Sequence, residues 1–309
     1  MKFLVILLCL TINYLWLKDL DRFDDSWFFR FRENMERATG NRDANSAIAA
    51  LAPFLFIYGI PLLVVGLLLL FLQDSAFGLP TMILHILILL VAFDRTQPGS
   101  LVNGFLRFWR KGDMEGCTCY LEQELSIPEG TDATSPNAIS EFFKEQLIYR
   151  CFEKMFVMFF WYMITGPMGI VFCYISYQLR DTQSENQAEL ESKLVANIIH
   201  FLEWAPLRLL AVTFSLAGNF VQCFENLKHS FWEFRTENEA STRLYGYAGC
   251  ALSGINTFTS DSNTDQSSQT AEEAMIIAQE KEIENLLALL ERSQAIWLAV
   301  LALITIFGL

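Results

Sequence analysis

The sequence predicts an all-α fold: a polytopic bundle of membrane helices that includes amphipathic helices and leaves room for a re-entrant one. Of the 309 residues, 53% are hydrophobic and only 18% are charged. The mean hydropathy of +0.31 is high for a soluble domain. Two uncharged runs, residues 47–72 and 155–179, each exceed the ~20 apolar residues that cross a bilayer core. We therefore expect residues 1–309 to form one membrane domain.

The amino-terminal segment, residues 1–45, joins an apolar stretch to a basic, aromatic one. Residues 1–18 imitate a secretory signal, but no small-residue cleavage site follows. We expect a retained helix that spans the membrane or lies at its interface. Residues 18–42 hold six Lys and Arg side chains interleaved with Trp27 and neighbouring phenylalanines. This mixture is typical of an interfacial segment that faces anionic lipid.

Residues 46–93 predict a membrane hairpin. The apolar runs 47–72 and 79–93 are separated by only six residues. Basic residues in 18–42 and in 94–154 mark the cytoplasmic side, so the turn at 73–78 should lie outside. His85 falls inside the second run, and an ionisable residue there is a functional candidate. A neutral histidine hydrogen-bonded to a neighbouring helix is the interpretation we favour.

The cytoplasmic loop, residues 94–154, contains helical signals of its own. A helix beginning near residue 100 is expected to end at Gly112, with Asp113 capping the next turn. Residues 126–137 are rich in Pro, Gly, Thr and Asp and predict a surface loop. Residues 139–150 predict a helix that leads into the membrane.

Residues 155–179 allow two interpretations. One is a single crossing helix with a kink, which is the plainer of the two. The other is a re-entrant pair, broken by the glycines and proline of residues 165–169. The side of the membrane that residues 180–293 occupy depends on this choice, and the sequence leaves it open.

The region 180–255 contains an apolar stretch, residues 201–220, that nevertheless carries Glu203, Pro206 and Arg208. We expect Pro206 to interrupt a helix or to start a turn. The segment is either an amphipathic helix whose charged ends snorkel or a phosphate or anion site. In the second case Arg208 is the donor, and Glu203 orients it or binds a cation.

The carboxyl-terminal part begins with a polar, low-complexity linker at residues 256–270, which predicts disorder. Residues 271–309 predict an amphipathic helix that runs straight into a final span. Its apolar face is formed by five side chains: Ile276, Ile283, Leu286, Leu287 and Leu290.

Several classes of function are disfavoured. The net charge of −13 and the lack of a basic stripe argue against a nucleic-acid partner. The seven cysteines are an odd number, and Cys117 and Cys119, the one close pair, lack the two further ligands that zinc needs. We therefore expect no metal site. The common catalytic signatures are also missing from the sequence, so we assign no catalytic residue.

The run Leu202-Glu-Trp-Ala-Pro-Leu-Arg-Leu-Leu210, continued by Gly218-Asn219-Phe220, resembles the signature "(D/N)W-x-P-x-RL" of AmpE proteins and the CobD/CbiB cobinamide-phosphate synthases. Residues 159–176 (FFWYMITGPMGIVFCYIS), 108–116 (FWRKGDMEG) and 245–254 (YGYAGCALSG) are similar to further motifs of the same group. The resemblance covers most of the chain in order, and AmpE is the closer branch.

Resemblance to AmpE implies a multi-pass protein of the bacterial inner membrane, a modulator of β-lactamase induction linked to cell-wall recycling. It also implies a cytosolic anhydro-muropeptide amidase as partner. The synthases instead form an amide with ATP, but their motif Glu-Asn-Thr-x-Asp-Gly is represented here only by the acid Glu153. Their Tyr-Arg after the glycine motif is absent as well.

Two functional hypotheses follow. The first is a non-enzymatic regulator that binds a cell-wall fragment, a nucleotide or a partner protein near Glu203 and Arg208, with no cofactor. The alternative is a residual phosphate- or ATP-dependent amide-forming enzyme, which would use Mg²⁺ and a nucleotide. We favour the first. The candidate ligand-binding residues are Glu203, Trp204, Pro206, Arg208, Asn219, Glu153, Arg110 and Asp113. For Arg110 and Asp113, helix termination and interface anchoring are the roles we prefer.

Overall fold

The computed structural model describes residues 2–15, 26–39, 47–72, 78–92, 98–125, 135–181, 189–220, 223–224, 228, 239–253 and 269–307. These residues form helices and turns without a strand, so the predicted all-α class is confirmed. The first helices in chain order are α1 (Lys2–Leu15), α2 (Ser26–Thr39), α3 (Ala47–Leu72), α4 (Leu79–Ala92), α5 (Pro98–Trp109) and α6 (Met114–Leu125). The later ones are α7 (Pro136–Cys151), α8 (Met158–Thr165), α9 (Pro167–Asp181), α10 (Glu189–Ala217), α11 (Ala240–Leu252) and α12 (Gln269–Phe307).

Three stretches of helix in the described part of the chain are long and apolar enough to cross a membrane: Phe54–Leu72, Glu191–Ala217 and Ala274–Phe307. The first is apolar on all sides, and many of its large side chains are exposed, with Phe71 84% exposed. Such a surface is expected where lipid replaces water. These stretches fit a membrane protein, and the second of them was not among the spans predicted from the sequence.

The predicted span 155–179 is not one helix. Helix α8 ends at Thr165, Gly166 adopts a positive φ of 71°, and α9 begins at Pro167. A Cβ on Gly169 would lie 2.9 Å from the Trp161 carbonyl oxygen, so the chain folds back tightly and α9 packs on α8. The break predicted within residues 165–169 is therefore confirmed, and the single kinked helix is wrong. The Gly166 N–H still donates to the Tyr162 carbonyl oxygen at 2.9 Å, but its left-handed conformation leaves the helical path and the following proline has no N–H to continue it.

The chain divides into two compact units. The first comprises Met1–Arg95, Val157–Ala205 and Gly308–Leu309, and the second comprises Thr96–Phe156 and Pro206–Phe307. One of the divisions, between Ala205 and Pro206, lies inside α10.

In the first unit, α9 packs against α3, α4 and α8, while α1 packs on α4 and α2 on α3. Polar side chains join these apolar helices. The hydroxyl of Tyr58 on α3 donates to Ser176 Oγ on α9 at 3.0 Å. His85 Nδ1 lies 3.0 Å from the Tyr162 hydroxyl on α8, so the predicted hydrogen bond from His85 to a neighbouring helix is confirmed. Interhelical bonds of this kind stabilise helix packing where apolar burial alone discriminates little.

In the second unit, α5 and α7 pack on each other and on the first half of α12. Phe105 and Phe143 stack with their ring centres 4.0 Å apart. Trp109 Nε1 donates to the Ile276 carbonyl at 3.1 Å. Lys144, which is buried, forms an ion pair of 2.7 Å with Glu282. The packing of α5 and α7 on α12 thus combines an aromatic core with polar contacts along α12.

Helix α12 is 39 residues long, which corresponds to ~58 Å at 1.5 Å per residue. That length far exceeds the ~30 Å of a bilayer core, so about half of the helix must extend beyond it. The prediction of an amphipathic helix continuous with a final span is confirmed. Its buried face uses Ile283, Leu286, Leu289 and Leu290; Leu289 therefore takes the place that the sequence pattern assigned to Leu287.

Other predicted features fall wholly or largely outside the described residues. They are the turn at 73–78, most of the surface loop 126–137 and most of the linker 256–270. Within the described part, the expected stop after α5 is confirmed. Gly112 has a φ of 68°, and Asp113 Oδ1 accepts from the Gly116 N–H at 2.8 Å at the start of α6.

Candidate functional site

The centre of the predicted site is α10, which continues through Pro206 instead of turning there. The helix runs from Glu189 to Ala217 with Pro206 inside it, so the expected interruption is wrong. Proline has no N–H, and the carbonyl four residues earlier, that of Leu202, loses its helical donor. The indole Nε1–H of Trp161 on α8 donates to this carbonyl at 3.0 Å. The replaced donor explains how the helix tolerates its proline.

The side chains of α10 are distributed with charge inside and apolar groups outside. Glu203 and Arg208 are 6% and 4% exposed, whereas Phe201 and Leu216 are 61% and 60% exposed. The interpretation of an amphipathic helix with snorkelling charged ends is therefore wrong. An inverted pattern of this kind is expected for a helix whose outer surface meets lipid. Charged groups inside a membrane bundle are candidates for function by default.

Glu203 is contacted from α9. The hydroxyl of Tyr177 donates to Glu203 Oε1 at 3.1 Å, and both side chains are buried. The guanidinium carbon of Arg180 lies 5.0 Å from the centre of the Tyr177 ring, which is a cation–π geometry. Burying a carboxylate is costly unless donors surround it, and Tyr177 is one such donor. Trp204, the next residue, is half-buried.

The remaining candidate residues belong to different parts of the fold. Glu203 and Trp204 lie in the first unit, whereas the second unit contains Pro206, Arg208, Asn219, Glu153, Arg110 and Asp113. Within the second unit, Asn219, Glu153 and Arg110 each contact separate neighbours.

Asn219 follows α10 at a close backbone crossing. Its N–H donates to the Ala251 carbonyl oxygen on α11 at 2.8 Å. A Cβ on Gly218 would lie 2.5 Å from the same oxygen, so only glycine fits this approach. The structure therefore brings together the motif at 218–220 and the small-residue motif at 245–254, two stretches that carried the family resemblance.

Glu153 lies in a π-helical segment, Phe152–Val157, between α7 and α8. Its Oε1 is 2.9 Å from Nζ of Lys154, and the two side chains are 5% and 17% exposed. π-Helical turns occur frequently at functional sites because the extra residue redirects side chains. Lys154 was not singled out in the sequence, because an adjacent acid and base carry no recognisable spacing.

Arg110 and Asp113 have contacts that account for them structurally. Arg110 pairs with Glu280 at 2.5 Å and with Glu284 at 3.6 Å on α12. The hydrogen bond that the Arg110 guanidinium donates to Glu280, followed by the charge of that carboxylate, raises the pKa of Arg110. Asp113 caps α6, so the preferred role in helix termination is confirmed for this residue. The ligand-binding role of both residues stays a prediction.

The two cysteines of the close pair differ in exposure: Cys117 is buried and Cys119 is exposed. Burial first, and the charge of Asp113 second, raise the pKa of the Cys117 thiol to about 12. A neutral buried thiol is chemically inert. In the described part of the chain, no group of three or more His, Cys, Asp or Glu side chains could hold a metal ion.

Trp161 and Tyr177 donate to Leu202 and Glu203 of α10, and sequence reasoning did not predict these roles. Trp161 was noticed only as part of a motif, and Tyr177 not at all. One signal for Trp161 was available, since an interior proline frees a carbonyl that some donor must satisfy. Nothing in the sequence indicates which of the seven tryptophans that donor is.

Comparison with known proteins gave one match. The family described as "Regulatory signalling modulator protein AmpE" matches residues 6–264, which includes every candidate residue and excludes α12. No curated protein and no solved structure matched the chain.

Proposed function

Because the chain belongs to the AmpE family of regulatory signalling modulators, we propose that it is an inner-membrane modulator of β-lactamase induction. In this proposal it responds to a cell-wall fragment and acts with a cytosolic anhydro-muropeptide amidase. The ligand contacts the 203–208 stretch of α10. A nucleotide is the other small ligand whose charge would suit an arginine there.

The observation that carries the proposal is the burial of charge in α10. Glu203 and Arg208 are buried in a helix whose outer residues are apolar. Burying a charge costs several kcal/mol before any compensation, and a hydrophobic residue of similar size often serves stability as well or better. A guanidinium kept at that cost suits the binding of an anionic ligand, because its planar donors match carboxylate and phosphate.

The first test measures signalling output in a bacterium with an inducible β-lactamase that lacks its own family member. Each variant is expressed there, and nitrocefin hydrolysis is measured before and after induction, with protein amounts checked by immunoblotting. Arg208→Met should abolish the effect of the protein on induction. Arg107→Met, which changes an exposed arginine on α5, is the matched control and should preserve it. Equal outputs from these two variants would refute a ligand site at Arg208.

Binding is then measured directly on the purified full chain in nanodiscs, with an anhydro-muropeptide and ATP titrated separately. We expect one of the two to bind the wild-type protein and to bind Arg208→Met at least about tenfold more weakly, a loss of about 1.4 kcal/mol. Binding of neither compound would exclude both ligand classes and leave a partner protein as the remaining occupant.

The enzyme alternative is favoured by one observation, the buried Glu153 in its π-helical segment. An amide-forming enzyme needs carboxylates for Mg²⁺, so Glu153→Gln and Glu203→Gln should each abolish its turnover. A regulator should tolerate Glu153→Gln, because Glu153 lies outside the 203–208 stretch, and Glu203→Gln, because glutamine at position 203 can still accept the hydrogen bond from Tyr177. Loss of output in both variants at normal protein levels would replace our proposal with the enzyme.

A further inference from the structure

The hydrogen bonds around Pro206 show why α10 needs a partner at one position. In an α-helix the Leu202 carbonyl accepts from the N–H of residue 206. Residue 206 is a proline, so this carbonyl has no helical donor, and a carbonyl without a donor is costly in an apolar surrounding. The indole of Trp161, 41 residues earlier, supplies the donor at 3.0 Å.

The position of Trp161 is set by the turn between α8 and α9. Gly166 reverses the chain with its positive φ. Gly169 then passes so close to the Trp161 carbonyl oxygen and the Thr165 side chain that a Cβ would collide with both. The Trp161 ring also packs at 6.1 Å from the ring of Phe201 on α10. The glycines therefore allow the tight hairpin that presents the indole to α10.

A second donor acts on the adjacent residue of α10. Tyr177 on α9 donates to the Glu203 side chain at 3.1 Å, while Trp161 on α8 donates to the Leu202 backbone. Two helices of one hairpin thus bind consecutive residues, one through the main chain and one through the carboxylate. The Leu202 carbonyl and the Glu203 N–H belong to one peptide unit, so a bond that holds this unit bears on the direction in which Glu203 projects towards Tyr177.

We propose that Trp161 is a positioning residue that replaces the backbone donor lost at Pro206 and thereby orients Glu203 for the ligand-binding stretch of α10. Only the orientation of Glu203 for the ligand-binding stretch rests on the proposed function. The hydrogen-bond replacement is a property of the fold and can be tested without any ligand.

The first experiment is a double-mutant cycle on the full chain, with unfolding followed in mixed detergent–SDS micelles. Trp161→Phe keeps an aromatic ring and removes the N–H, which should raise the unfolding equilibrium constant about tenfold, or about 1.4 kcal/mol. Pro206→Ala restores an N–H to the Leu202 carbonyl. In that background Trp161→Phe should change the constant less than about twofold.

Trp297 on α12 offers a matched control, because it also donates to α10. Its Nε1 donates to Thr213 Oγ1 of α10 at 3.0 Å, an acceptor that Pro206 does not affect. Trp297→Phe and Pro206→Ala should therefore be additive. If Trp161→Phe changes the unfolding equilibrium constant by the same factor with and without Pro206, the inference that Trp161 replaces the donor lost at Pro206 is refuted.

The second experiment observes the bond itself and distinguishes positioning from general packing. In a ¹⁵N-indole spectrum the Trp161 N–H is assigned by its absence from Trp161→Phe. Where that variant does not accumulate, it is assigned by its nuclear Overhauser contact with the Phe201 ring. In Pro206→Ala the signal should shift upfield and exchange faster with water, since Leu202 then shares its carbonyl with a second donor. An unmoved signal would overturn the inference.

Signalling output separates this inference from the proposed function. If the proposed function and the role of Trp161 both hold, Trp161→Phe lowers β-lactamase induction several-fold, and the double variant Trp161→Phe/Pro206→Ala recovers part of the lost induction. If the cycle and the spectrum behave as expected but Arg208→Met leaves output unchanged, the proposed function fails and the donor replacement stands. If Arg208→Met abolishes output but the cycle is additive, the function stands and the role of Trp161 fails.

Discussion

Gly218→Ala tests the backbone crossing between the end of α10 and the end of α11. The added Cβ would lie 2.5 Å from the Ala251 carbonyl oxygen and 2.8 Å from the Ala251 Cβ. Both atoms belong to a helix end and cannot swing aside as a long side chain would. The chain must therefore separate at this point, and the 2.8 Å hydrogen bond from the Asn219 N–H to the same oxygen lengthens or breaks.

The magnitude follows from two contributions of the same sign. Overpacking by one carbon typically costs about 1–3 kcal/mol, and the weakened hydrogen bond adds up to about 1 kcal/mol. We expect Gly218→Ala to lower the free energy of unfolding by about 2–3 kcal/mol. Gly246→Ala on α11 has open space around it and should instead stabilise the protein by about 0.5–1 kcal/mol, because alanine has less conformational freedom to lose.

The assay is equilibrium unfolding of both variants beside the wild type, in the same micelles and at the same protein concentration. Opposite signs for the two glycines are the expected result. If Gly218→Ala were neutral or stabilising like Gly246→Ala, the close approach between Gly218 and Ala251 would be refuted. The meeting of the two small-residue motifs would be refuted with it.

Two further predictions concern the second unit. Glu282→Gln removes the charged partner of the buried Lys144 and should lower the free energy of unfolding by about 1–2 kcal/mol, less than for a fully buried pair because Glu282 is 40% exposed. The control is Glu284→Gln, which affects an exposed pair with Arg110 at 3.6 Å and should change the free energy of unfolding by no more than about 0.5 kcal/mol. Equal effects of the two variants would contradict the burial of Lys144. The pKa of Cys117 is raised from 9.0 to about 12, so its contribution to stability is complete below pH 9 and is lost as the pH rises towards 12. Cys117→Ala should therefore reduce the protons released on unfolding at pH 10 by about one, measured as the slope of unfolding free energy against pH; an unchanged slope would contradict a buried thiol.

The helices with strong local signals were predictable from their own residues. Uncharged apolar runs located α3 and α4 to within one residue of their ends, because a long apolar helix needs no partner to define it. Gly112 and Asp113 indicated the junction of α5 and α6, since the conformations they favour are intrinsic to those residue types. The amphipathic spacing of α12 likewise identified most of its buried face.

The course of α10 could not be predicted in the same way. Local rules place a break at Pro206, and they were wrong because the compensating donor is Trp161, remote in sequence. The burial of Glu203 and Arg208 was also unpredictable. A charged residue in an apolar run can snorkel outward or turn inward, and only the neighbouring helices determine which occurs.

By itself, the sequence determined that this protein is helical, is of the AmpE kind and has apolar helices that fit a membrane protein, because hydropathy, glycine and proline act over a few residues and motif order is carried by the chain. The tertiary structure alone decided that α8 and α9 form a tight hairpin, that its tryptophan satisfies the carbonyl freed by Pro206, and that the charges of α10 are buried. Each of those outcomes depends on which donors and which surfaces meet across distant parts of the chain, and no local pattern specifies such pairings.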